Sequence, residues 1–135
     1  MATTWSSTGN RSAKAVSTST GGTATGDAPT LATDGVNLTG IGGVAIQVSA
    51  DSGKKLAGAG TLQCYVYDAD TLGVWVRVPD LDQTIGVTNL RGQSFPGIYV
   101  PSPRGRVAWI PSGVTVDAGS VTVWINCTSF DGRAV

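Results

Sequence analysis

Short apolar runs recur along this chain at intervals of roughly 8–12 residues, each closed by Gly, Pro or Asp. The run Leu62-Gln-Cys64-Tyr-Val66-Tyr67 puts Leu62, Cys64 and Val66 on one side of an extended chain and Gln63, Tyr65 and Tyr67 on the other. Val44-Ala-Ile46-Gln-Val48-Ser alternates in the same way. A period of two is the signature of a half-buried strand, and no run long enough for an amphipathic helix interrupts it. Composition agrees. The chain carries 19 Gly and no Glu, a good helix former, while Val and Thr suit a pleated surface.

The reading is therefore all-β: a single antiparallel β-sandwich or jelly-roll-like domain with an extended N-terminal arm. Asp68-Ala-Asp70-Thr-Leu-Gly73 turns the strand at 62–67 into Val74-Trp-Val76-Arg-Val78, a hairpin that Pro79 ends. Ile85-Gly-Val87 and Ile98-Tyr-Val100 read as short strands around a Gly/Pro-rich stretch, Arg91 to Gly97. Strands are also expected at Arg106–Ile110, Val114–Val116 and Ser120–Cys127. Residues 1–33 are rich in Ser, Thr, Gly and Ala and read as a flexible or partner-docking arm. The domain is placed at 34–130 and a tail at 131–135. Trp5 favours docking of the arm, because an indole left in water wastes a large apolar surface. Val16 lies in a segment with enough β propensity to add to a partner's sheet edge.

Several functional classes are excluded or disfavoured. Without His there is no imidazole base, no His-ligated metal and no Ser-His-Asp arrangement. A formal net charge of zero argues against a nucleic-acid partner. No apolar run reaches the ~18 residues of a membrane helix, and no leader pattern is visible at the N-terminus, so the chain is expected in the cytosol or in a particle assembled there. Cys64 and Cys127 read as buried thiols, with a disulfide as the alternative. The spacing Cys64…Trp75…Cys127 loosely suggests an immunoglobulin domain, but Ile125 stands where a tyrosine corner would place Tyr.

Four of the nine acids fall in two close pairs, Asp68/Asp70 and Asp80/Asp82. Turn chemistry explains them better than calcium, which would call for further oxygen ligands, or catalysis, which would call for a defined acid and base. No catalytic residue, cofactor or metal is expected. Arg91, Arg104 and Arg106 sit in or beside Gly/Pro-rich loops and, with Phe95, form a candidate interface at one loop end, joined by Trp5 and Val16 of the arm. Tyr65, Tyr67, Trp75 and Trp109 are core, inter-subunit anchors or a ligand-stacking surface. Val74 and Val76 flank Trp75, so both faces of that strand carry large apolar groups, which points to an oligomer.

Four segments carry a resemblance: Asp34-Gly-Val-Asn-Leu-Thr-Gly40, Ala59-Gly-Thr-Leu-Gln-Cys-Tyr-Val-Tyr-Asp68, Trp75-Val-Arg-Val-Pro-Asp-Leu-Asp82 and Arg104-Gly-Arg-Val-Ala-Trp109. In style and order they resemble small β-rich virion proteins of tailed bacteriophages. The resemblance implies a capsid decoration (cement) protein or a head, neck or tail accessory protein, with the major capsid protein or another virion protein as partner. It implies a virion location, no cofactor and no active site, and it transfers no site residue. The alternative function is a tail or head accessory module recognising a host-surface glycan or receptor through the four aromatic residues, with calcium at Asp68/Asp70.

Overall fold

The computed structural model describes residues 3–8, 11–17, 22–37, 43–57, 60–68, 73–100 and 105–128; for 3–8, 11–17, 68, 127 and 128 it describes the backbone only. Among the described residues the chain forms fourteen strands. They are β1 (Thr3–Thr8), β2 (Arg11–Ser17), β3 (Gly22–Ala24), β4 (Val36–Asn37), β5 (Gly43–Ala50), β6 (Leu56–Ala57) and β7 (Thr61–Asp68). They continue as β8 (Val74–Arg77), β9 (Gln83–Thr84), β10 (Thr88–Leu90), β11 (Gly92–Ile98), β12 (Arg106–Ser112), β13 (Val114–Val116) and β14 (Ser120–Thr128). A single turn of 3-10 helix, Pro79–Leu81, follows β8, where Pro79 stops the ladder.

Three antiparallel sheets result: β1-β2-β14-β5-β11, β10-β6-β13-β3, and β4-β12-β7-β8 with β9 also paired to β7. Alternation sets the register. In β5 the side chains of Val44, Ile46, Val48 and Ala50 are buried while Gln47 is exposed. In β14 Val121, Val123 and Ile125 point inward, opposite Ala50, Val48 and Ile46 of β5. All three sheets feed one apolar cluster, from Ala24 of β3 and Leu56 of β6 to Leu62 and Cys64 of β7, Trp109 of β12 and Val114 of β13.

β12 is buried on both sides, with Val107, Ala108, Trp109 and Ile110 all at 1% exposure or less. Val107 and Trp109 belong to the central cluster, so Ala108 and Ile110 face the opposite way, along with Arg106. Residues 25–35 cover that outer face as a strap. At one end Gly26 N–H donates to the Pro111 carbonyl (2.9 Å) and the Thr25 hydroxyl accepts from Gly113 N–H. At the other end the Arg106 guanidinium donates to three carbonyls: Asp34 (2.7 Å), Gly35 (2.9 Å) and Thr33 (3.0 Å). Trp75 reaches across from β8, its indole N–H donating to the Leu31 carbonyl (2.9 Å). Asp34, at 7% exposure, closes the turn by accepting from the Thr30 and Leu31 amides. Gly35 (φ +70°) is wedged so that a Cβ would meet the Val107 carbonyl and come within 3.1 Å of the Trp75 ring.

Several expectations change here: Ile85-Gly-Val87, read as a strand, is not one, and of Ile98-Tyr-Val100 only Ile98 is in a strand, at the end of β11. The segment 1–33, read as an arm outside the domain, contributes β1 and β2 to one sheet, β3 to another and most of the strap. Ala24 is fully buried in the core. Main-chain groups make most of these attachments, so a segment poor in large apolar residues can still be held. The stretch Arg91–Gly97, read as a loop, contains most of strand β11. Pro96 and Gly97 are accommodated because β11 is an edge strand and its register shifts between Phe95 and Ile98.

Candidate functional site

The outer face of β7 and β8 carries a cross-strand ladder. Tyr65 stands opposite Arg77, and Tyr67 opposite Trp75. The Tyr67 and Trp75 rings lie 5.5 Å apart at 56°, and the Arg77 guanidinium sits 5.3 Å from the Tyr65 ring centre. Arg77 is fixed by a bidentate pair with Asp82 (2.7 and 3.0 Å) and by a bond to the Cys64 carbonyl (3.0 Å). Asp82 also accepts from Cys64 N–H at 2.8 Å. The hydrogen bonds from Arg77, the largest influence, hold the Asp82 carboxyl below the ordinary carboxylate range, and the Cys64 amide adds to this against the opposing effect of burial. Asp82 is thus a clamp joining the 3-10 turn to β7 and β8. Burial, helped by the Asp82 charge, pushes the Cys64 thiol up to about 12, so this free cysteine is inert in the folded chain.

These partners define what the aromatic residues do. Trp109 is fully buried, its indole N–H donating to the Leu81 carbonyl (3.0 Å), so the stacking role offered to it is corrected: it is a core anchor. Trp75 holds the strap. Tyr65 and Tyr67 are half-buried beside it. On the other side of β8, Val74 and Val76 are 51% and 39% exposed, at the open edge of their sheet. Leu31 on the strap is 61% exposed.

The expected interface cluster is not assembled as one patch. Arg91 and Phe95 belong to β11 and the residue before it, and Phe95 packs against the core. Arg106 opens β12 in a different sheet and is occupied by the strap carbonyls; the loss of hydration there lowers its affinity for its proton. Arg104, Asp70 and the 131–135 tail lie outside the described residues, as do the side chains of Trp5, Val16, Asp68 and Cys127. The backbone places Trp5 in the middle of β1 opposite Lys14, and Val16 in β2 between Thr3 and Val121.

A second surface was not singled out by the sequence reading. On the outer side of β14, β5 and β11, a groove of about 400 Å³ is lined by Gln47, Ser49, Arg91, Gly92, Gln93, Ser94 and Trp124. Trp124, Gln47 and Ser94 stand in one row across three strands, and Thr122, Ser49 and Gly92 in the next. The signal that would have found it is the alternation of β14, which turns Trp124 outward once Val123 and Ile125 are placed inside.

Among the described residues no group of three His, Cys, Asp or Glu is placed to hold a metal ion, and no helix is long and apolar enough to cross a membrane. Comparison with protein-family models, curated proteins and solved structures finds no match for this chain.

Proposed function

We propose that this chain is a non-enzymatic virion structural protein of the tailed-phage type, a capsid decoration protein that binds between capsid subunits on the head. Its sheets would form a sandwich or jelly roll, and its partners would be the major capsid protein and further copies of itself. The observation that carries the reading is the N-terminal hairpin. Among the described residues β1 and β2 extend the sheet beyond β14, and β1, six residues long, is its edge strand. An edge strand presents a row of main-chain donors and acceptors to any strand that aligns with it. Trp5 at the centre of β1 supplies the large apolar side chain such a contact needs for an anchor. Each added main-chain bond contributes only about 0.5–1.5 kcal/mol, so a single copy binds weakly, while contacts to neighbouring copies raise avidity on a symmetric shell. The virion, assembled in the host cytoplasm, is the location this reading assigns.

The test uses the intact protein and empty heads assembled from the major capsid protein encoded in the same genome. Sedimentation should carry the protein down at a saturating number of copies that matches the head's symmetry. Deleting residues 1–17, which spares β3, or making Trp5→Ala should abolish or strongly weaken pelleting while circular dichroism stays that of a folded β protein. Failure of the intact protein to pellet would overturn the decoration reading, and unchanged pelleting of both variants would overturn the role of the hairpin.

A further inference from the structure

We infer that the groove on the outer face of β14, β5 and β11 is a binding site for an acidic saccharide. The reading is separate from capsid binding, which we assign to the opposite edge of the same sheet. Four features lead to it. The first is Trp124, half-buried in the sheet face beside Gln47, its register partner on β5. An indole face is electron-rich and flat, and it matches the C–H face of a pyranose ring better than it matches a solvated chain. The second is the row that continues from it: Gln47 and Ser94 are exposed polar groups across the next two strands, which lie ~4.8 Å apart, so the row spans about one sugar ring and its substituents.

The third feature is Gly92, which lines the groove where β11 packs backbone against backbone on β5. A Cβ there would lie 2.6 Å from the Val48 carbonyl, so no larger residue fits without moving backbone. The fourth is the charge. Arg91 stands at the rim, exposed, its Nε donating to the Ala50 carbonyl at 3.1 Å, which aims the guanidinium while leaving its terminal nitrogens to a ligand. Gln93 is oriented likewise: its Oε1 accepts from the Gly86 and Val87 amides (2.9 and 3.2 Å), which leaves its NH2 group as a donor. Among the described residues that line the groove, none is acidic. One aromatic platform, one oriented amide donor and one oriented cation suit a sugar carrying a carboxylate, which Arg grips with two parallel bonds. A nucleic acid would call for several cations along a track, and an apolar peptide would call for an apolar lining.

The test is a titration of the full chain, followed by nitrogen–proton correlation spectra, with trigalacturonate and sialyllactose as acidic probes and maltotriose as the neutral one. The Trp124 indole signal is assigned with Trp124→Phe. The expected result is a saturable shift of that signal and of the Gln47 and Gln93 side-chain amides with at least one acidic probe, weakened by added salt. Trp124→Ala should weaken binding at least about tenfold, and Arg91→Gln should abolish the preference for acidic over neutral sugar. Gln47→Ala, at an exposed position, serves the same purpose if Trp124→Ala does not fold. No saturable shift with either acidic probe, equal binding of maltotriose, or unchanged binding in the variants would each overturn the assignment.

Discussion

Replacing Arg106 with Met tests whether the strap is a structural element held by main-chain carbonyls. Methionine keeps an unbranched apolar stem of similar length and removes every donor. Three carbonyls, those of Thr33, Asp34 and Gly35, then lose a partner. Hydrogen bonds from a charged group contribute about 1.5–3 kcal/mol each, but carbonyls near the surface regain water, so the expected net loss is about 2–4 kcal/mol. Relief from holding a poorly hydrated charge works in the other direction and keeps the figure from rising further. For a chain of this length the loss corresponds to a fall in Tm of about 8–15 °C. Calorimetric or circular-dichroism melting measures it. Hydrogen exchange should show the Asp34 and Gly26 amides losing protection more than the β5 amides, because the strap opens before the sheets do. A fall of less than about 2 °C, with unchanged exchange in the strap, would show that the Arg106 bonds do not hold it.

Gly35→Ala should destabilise by at least about 2 kcal/mol, seen as a lower urea midpoint with an unchanged slope, because the left-handed backbone at φ +70° and the contact with the Val107 carbonyl both oppose a Cβ. Asp82 has a folded pKa below its unfolded value of about 4, so its stabilising contribution is complete above pH ~4 and fades as pH falls through the folded value. Asp82→Asn should therefore be less stable than the parent at pH 7, with the gap closing in acid; a gap independent of pH would contradict the clamp. In a Cys127→Ser background, Cys64 should resist iodoacetamide at pH 8 in the folded protein and react fully in urea, as intact mass would record.

The longer strands with a regularly alternating buried face were legible, whereas β3 and β6, which bury Ala24 and Leu56, are too short to show a period. Val44, Ile46 and Val48 of β5, and Leu62 and Cys64 of β7, announce their inward face by alternation alone, and Pro79 marks the end of β8. The strap was not legible, because it is attached through main-chain carbonyls that any residue type supplies. Pro29 is its buried apolar residue, whereas Leu31 is exposed. Arg106 reads in sequence as a loop cation, and only the antiparallel approach of residues 33–35 gives it three acceptors. Strand β11 was hidden by Pro96 and Gly97, which signal a loop unless an edge position and a register shift absorb them. The groove depends on which strands lie side by side: Trp124, Gln47 and Ser94 are far apart in sequence and meet through two pairings.

Cryo-electron microscopy of heads saturated with this protein, compared with bare heads, would locate it on the particle. A decoration protein should give added density on the outer surface where capsid subunits meet, with Thr3–Thr8 aligned as a strand against a neighbouring chain. Density confined to the neck or tail, or none on the particle, would contradict the decoration reading.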